Sequence, residues 1–400
     1  MNREQLNKES KKWVEQSIIT ESQREQLMGL YPKKQSKPML VLFAAIFIGL
    51  GFLTFVASNW SYLTNIGRMA ILIVSLLGFY VAGEQVYHKR SKQIGTSLII
   101  VAVMIFGASL FLIGQMYHYS SYSALPFFLW GLAAFSLYVL FKEVPFYYTT
   151  LVILSVGQLY SGLFHQDYHL WIGVLFLFGI GWAVYQEQGE RSQAAFGIGF
   201  VIQSIVLVFS EGIPYYWLLA LFLFLYVADD FLIRKGAKHL LKTVSILAVF
   251  IILVFQAFFL GNVYVGELTE SSLYFFLVWA VLFVFAVVRS AVSSTNYYWI
   301  DLLLFVPVFR FMFGDFLSLG LLFIYALLWL ISGYRQEVSR WVNKGTAAFL
   351  IATLVAYFQL AWNFLDRSLF FFLGGLLLFA LSFFLEKKRR TIYRGGVEHD

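Results

Sequence analysis

Asp301 and Arg310 lie within one apolar stretch, where an ionised side chain is costly and must find a partner or water. On a continuous helix over 297–313 their spacing would set them about 180° and 13 Å apart, so they do not pair with one another. Each then lines a polar pathway or pairs with another segment. Asp315, Asp366 and lipid phosphate are the partners Arg310 would meet. Arg68, Arg310 and Arg367 stand apart from every other Lys and Arg, each at the end of an apolar stretch. A guanidinium binds phosphate or carboxylate through paired donors. Three that converge make a site for an anionic head group; three that do not are interfacial anchors.

Other polar residues offer weaker constellations. Glu84, Asp229 and Asp230 lie about a turn from a helix end, and Arg234 follows Asp230 at ion-pair spacing, so snorkelling accounts for all three. His118, His165 and His169 fall in neighbouring turns. His165 and His169 are four apart with Asp167 between, a spacing that on a helix suits a metal or a pH sensor. In a turn that spacing does not bring them together, and no metal or cofactor is expected. His88, His239 and His399 are expected on the cytoplasmic side and point to nothing. No phosphate-binding glycine loop, His-Glu-x-x-His helix or Gly-x-Ser-x-Gly elbow occurs, which disfavours an ATPase, a zinc protease and a serine hydrolase. Without cysteine there is no disulfide and no thiolate. No catalytic residue is assigned, and an enzyme is disfavoured.

The elements that must position these residues are transmembrane. Hydrophobic residues make up 60% of the 400 and charged ones 13%, outside the range of a soluble domain. Apolar stretches of membrane-crossing length are expected at 38–58, 67–86, 96–116, 125–141, 146–164, 170–185, 194–210, 215–233, 243–260, 272–289, 297–313, 316–333, 346–363 and 368–385. With these spans, all but three of the 29 basic residues fall on one side. The positive-inside rule makes that side cytoplasmic, with both termini on it. The net charge of +7 therefore meets anionic lipid rather than nucleic acid. Residues 1–35 form a cytoplasmic helical segment with no signal peptide, in which Thr20 and Gln23 match a capping box. Residues 38–385 form the polytopic domain and 386–400 a basic cytoplasmic tail. The fold class is all-α, with about 14 transmembrane helices.

Those helices are expected to pair. Gly114-Gln115-Met116-Tyr117 and Gly157-Gln158-Leu159-Tyr160 are copies offset by 43 residues, each leading through a turn into an aromatic helix. Gln203, Gln256 and Gln359 are placed comparably, which reads as tandem helical hairpins. Both Gln115 and Gln158 should then face other helices, since an unpaired amide in lipid is costly.

Three patches carry a family resemblance: Trp13 to Gln23; Ala57-Ser58-Asn59-Trp60 followed by Arg68; and Leu112-Ile113-Gly114-Gln115-Met116-Tyr117-His118 followed by Trp130. Over roughly residues 8–145 the chain resembles the bacterial membrane-protein family called domain of unknown function 2157. The resemblance implies a multi-pass protein of the bacterial cytoplasmic membrane and no established activity. It makes Trp60, Arg68, Gln115, Tyr117 and His118 the leading functional cluster. With Gln158, Asp301, Arg310 and Arg367 they form the expected substrate-binding set. The leading reading is a transporter or lipid flippase with an outward-facing site for an anionic lipid or small organic anion. The competing one is a scaffold or sensor whose N-terminal helices dock a cytoplasmic protein.

Overall fold

The computed structural model describes residues 12–16, 18–30, 64–117, 123–187, 189–233, 239–260, 272–292, 297–311 and 313–361, with scattered positions in 9–10, 43–54 and 372–379. The expected helices at 38–58 and 368–385 fall almost wholly outside these residues, as do Trp60, His118 and Arg367. All regular structure among the described residues is helical. Eight helices there are long and apolar enough to cross a membrane, and a ninth, Leu125–Phe141, is apolar but shorter. The chain divides into two compact units, Met1–Ser109 and Leu110–Asp400.

The first unit holds α1 (Glu21–Leu30), α2 (Asn65–Lys89) and most of α3 (Lys92–Met116). The capping box forms as the sequence demands. Thr20 N–H donates to Gln23 Oε1 at 2.9 Å, and Gln23 N–H donates to Thr20 Oγ1 at 3.3 Å. Thr64 caps α2 by accepting from Gly67 N–H at 3.2 Å. Glycine lets α2 and α3 cross closely: a Cβ on Gly95 would sit 2.4 Å from the Tyr87 Cα. Leu76 and Phe79 pack there on Val101 and Ile105. Val74, Leu77 and Val81 on α2 remain exposed, a face suited to lipid.

The second unit begins with α4 (Leu125–Phe141) and α5 (Val144–Tyr160), each with proline in its first turn, where no N–H is missed. It continues with α6 (Leu170–Glu187) and α7 (Glu190–Ser210). Next come α8 (Trp217–Leu232), α9 (Leu240–Phe259) and α10 (Leu273–Val292). Helix α5 runs on into a π-wound turn, Ser161–His165, and α6 is π-wound over Leu175–Ile180. Helices α5 and α7 lie side by side in the same direction. The Tyr147 hydroxyl donates to the Ser192 carbonyl at 2.7 Å, Ser155 lies against Gly199, and Gly162 lies against Val206. Helices α7 and α9 are likewise parallel, with Gln193 accepting from Leu240 N–H and Gly197 packed on Val244. The unit closes with α11 (Tyr298–Leu302), α12 (Gly314–Arg335) and α13 (Ser339–Ala361). An aromatic core of Tyr216, Tyr226, Phe250, Phe275, Phe305, Phe309, Tyr325 and Trp329 joins α8, α9, α10 and α12 to the segment between α11 and α12.

The expected helix over 297–313 is not continuous. After α11 come a 3-10 turn at Leu303–Phe305, two non-helical residues, and a second 3-10 turn at Val308–Arg310. Pro307 is the cause. It drives Val306 to an extended ψ of 129° and itself adopts φ −78°, ψ 76°. That is an inverse γ-turn, closed by Val308 N–H donating to the Val306 carbonyl at 2.9 Å. The Phe305 carbonyl accepts instead from the Trp279 indole at 2.9 Å. Phe305, Val308 and Phe309 are buried, as irregular backbone at membrane depth requires. The segment still runs alongside α12: Val308 lies against Gly314, and Asp301 bonds Trp329, points roughly 22 Å apart along that helix. The helical 180° relation between Asp301 and Arg310 therefore does not hold.

Candidate functional site

Asp301 is buried at 3% exposure on the short helix α11. Its Oδ1 accepts three bonds, from Lys344 Nζ at 2.7 Å, Trp329 Nε1 at 3.1 Å and the Tyr325 hydroxyl at 3.2 Å. Tyr325 and Trp329 are four apart on α12 and so present one face to Asp301. Lys344 enters from the second turn of α13. Its ammonium stands 3.9 Å from the centre of the Trp329 ring and 5.4 Å from that of Tyr325. Coulomb attraction, two neutral donors and two ring faces thus hold one ion pair, and the pair ties α11, α12 and α13 together. Close approach of α12 and α13 makes this reachable: a Cβ on Gly345 would lie 2.6 Å from the Leu330 backbone nitrogen.

A second centre occupies the same end of the unit, where α8 finishes and α9 begins. Asp229, with no exposed surface, accepts from Lys242 N–H at 3.4 Å and bonds His239 Nδ1 at 2.5 Å. Asp230 accepts from Lys242 Nζ at 2.7 Å, and that ammonium lies 5.0 Å from the centre of the Tyr226 ring. His239 precedes α9, and its pKa is raised above the ordinary imidazole value, first by the bond to Asp229. The ligand atoms of Asp229, Asp230 and His239 lie within 4.8 Å of one another. Lys242 and His239 already bond both carboxylates, and no metal is assigned to the cluster. Snorkelling does not describe these acids, because their partners come from the next helix. Arg234, the expected partner of Asp230, lies outside the described residues.

The two centres share the aromatic core through Tyr226, Phe250, Phe305 and Tyr325. Each sets a lysine from the first two turns of one helix over a tyrosine of the helix before it. The sequence pointed to Asp301 and passed over its cation, because Lys344 falls among the basic residues that set orientation. It passed over His239 for the same reason.

The remaining expected site residues are distributed as follows. Arg68 is half-buried in the first turn of α2, in the first unit. Arg310 is exposed at the end of the second 3-10 turn. Asp315, a carboxylate expected near Arg310, accepts from Gln359 Nε2 at 3.5 Å. Gln158 is fully buried, whereas Gln115 and Tyr117 are exposed, so the two copies of the repeat do not share an environment. The expectation of an amide facing other helices holds for Gln158 and fails for Gln115. His165 ends the π-wound turn and Gln166 is left-handed with φ 54°, so helical ligand spacing does not apply. His169 caps α6 by accepting from Ile172 N–H at 3.4 Å, and burial lowers its pKa, which suits that neutral acceptor role.

Neither the curated proteins nor the solved structures give a match. The family comparison does: residues 11–147 match the family described as "Predicted membrane protein (DUF2157)", which shows over that stretch the resemblance read from the N-terminal motifs.

Proposed function

We propose that this membrane protein is a transporter, of small organic anions or of anionic lipid head groups. The observation that carries the reading is the interrupted segment Tyr298–Arg310, with the buried Asp301 carboxylate paired to Lys344 at one end and Arg310 at the other. Interrupted helices with polar groups at the break are how transporters expose backbone and charge to a substrate within the membrane. In this reading the Asp301–Lys344 pair is the element that changes partners during the cycle. Arg310 receives the anion on the outer side, and Gln115 and Tyr117 belong to its path. Both termini are cytoplasmic, and the protein resides in the bacterial cytoplasmic membrane.

The test uses the full chain in phosphatidylethanolamine–phosphatidylglycerol vesicles carrying fluorescent phosphatidylglycerol, whose outward movement is read by dithionite quenching. The same vesicles loaded with radiolabelled glutamate report anion release. Movement of either probe above protein-free vesicles is expected, lost in Asp301→Asn and in Arg310→Ala, and poorly restored by Arg310→Lys, which lacks the paired donors. Rates equal to protein-free vesicles for both probes would refute transport. A second reading, docking of a cytoplasmic protein, draws on the capped polar helix α1. Deleting residues 1–35 separates the two, because a transporter keeps its flux and a docking protein loses its partner.

A further inference from the structure

Helices α5, α6 and α7 enclose polar groups that the ion-pair centres do not use. Ser155, Gln158 and Ser161 recur at three-residue spacing, so they fan over one side of α5 and its π-wound end. Their exposures are 6%, 0% and 0%, and Gln203 on α7 is 5% exposed. The contacts of Ser155 with Gly199 and of Gly162 with Val206 set the register, which puts Gln158 and Gln203 at the same level. The Tyr168 hydroxyl reaches in from the turn before α6 and donates to Gln203 Oε1 at 3.2 Å. Gly173 makes room for it, since a Cβ there would lie 2.2 Å from the Tyr168 oxygen.

Both hydroxyls, both polar atoms of the Gln158 amide and the Gln203 Nε2 lack a hydrogen-bond partner among the described residues. Buried polar groups in native proteins are almost always bonded, to protein or to ordered water. Here donors and acceptors are orphaned together. A metal cation would satisfy the oxygens and leave two NH2 groups bare, and an anion would do the reverse. Only a species that both donates and accepts completes the set. The two π-wound segments flank this cluster, and such insertions recur at functional sites because they displace backbone from the regular ladder.

We propose that Ser155, Gln158, Ser161 and Gln203 form a hydroxyl-binding site inside the membrane domain, occupied by water or by the hydroxyl groups of a small neutral polyol. It goes beyond the transport reading and rests on other helices, so either can fail alone.

The chain has no cysteine, so single thiols report directly. Ser155→Cys and Ser161→Cys, each nearly isosteric, are placed in the full chain in vesicles and treated with methyl methanethiosulfonate. Leu154→Cys, equally buried but in an apolar surround, is the control. A thiol reacts as thiolate, which needs a hydrated surround, so the serine positions should label at least about tenfold faster than position 154. Adding Gln158→Leu should slow Ser161→Cys towards the control. Molar glycerol separates the two occupants: protection from labelling assigns a polyol, and an unchanged rate assigns water. Serine-position thiols as inert as Leu154→Cys would overturn the site, as would fast labelling that ignores Gln158→Leu.

Discussion

The Asp301 and Asp229–Asp230 centres are built from the same parts and distribute them differently. At Asp301 one oxygen takes three donors, and the single cation is boxed by Trp329 and Tyr325. At Asp229 and Asp230 two carboxylates share a lysine and a histidine, and a backbone N–H supports the more buried acid. Both centres reach an edge, since His239 and Lys344 are each about one-third exposed. Concentrating every partner on one atom makes the first centre fail as a unit. Spreading them lets the second lose one member and keep the rest. The difference teaches that burial alone does not rank these acids. Asp229 is the more deeply buried of the two, yet it has the more replaceable support.

The largest effect should come from Lys344→Ala. It leaves the buried Asp301 carboxylate without its cation, and because the Lys344 side chain is itself about one-third exposed the cost is about 3 kcal/mol, the low end for a buried pair. A marked fall in the melting temperature of the purified protein in detergent is expected. The double change Asp301→Leu with Lys344→Met should recover most of it, because an apolar pair of similar volume replaces the ions without leaving a charge. A double variant no more stable than Lys344→Ala would break the account of the first centre.

Lys242→Ala should cost less, about 1–2 kcal/mol, the range for a lost bond to a charged group. Asp230 loses its ammonium but is more exposed than Asp301, so water can replace part of that bond, while Asp229 keeps His239 and the backbone N–H at 242. Equal losses in Lys242→Ala and Lys344→Ala would erase the contrast between the centres.

The smallest effect is a pH dependence confined to the second centre. His239 has a folded pKa raised above its unfolded value near 6.5, so its contribution is complete below that value. It is lost as pH rises through the folded pKa. Thermal stability should therefore decline from below pH 6.5 to above the raised value. In His239→Gln that decline should be absent. A dependence of the opposite sign, or one surviving His239→Gln, would remove His239 as its source.

Legibility differed sharply along the chain. The capping box at Thr20 and Gln23 was readable because both partners are three residues apart and local geometry decides their bond. The family resemblance was readable from motifs confined to the N-terminal third. The break at 306–307 was within reach, since Pro307 stood in the expected helix, but apolar composition outweighed it. The second centre was not within reach: His239 and Lys242 looked like any loop cations beside a membrane.

Composition and hydropathy by themselves determined that the chain is helical, with several helices long and apolar enough to cross a membrane, because an apolar run of that length in lipid must satisfy its own backbone bonds. They also marked Asp301 as a charge that needed a partner or water. Only the tertiary structure decided who those partners are. Asp301 meets Lys344 across 43 residues and Asp230 meets Lys242 across 12, through helix packing that no sequence spacing encodes. The same packing buried Gln158 while leaving Gln115 exposed, although the two sit in matching motifs. A motif fixes which group is presented along a helix; the neighbouring helices fix whether it faces lipid, protein or water.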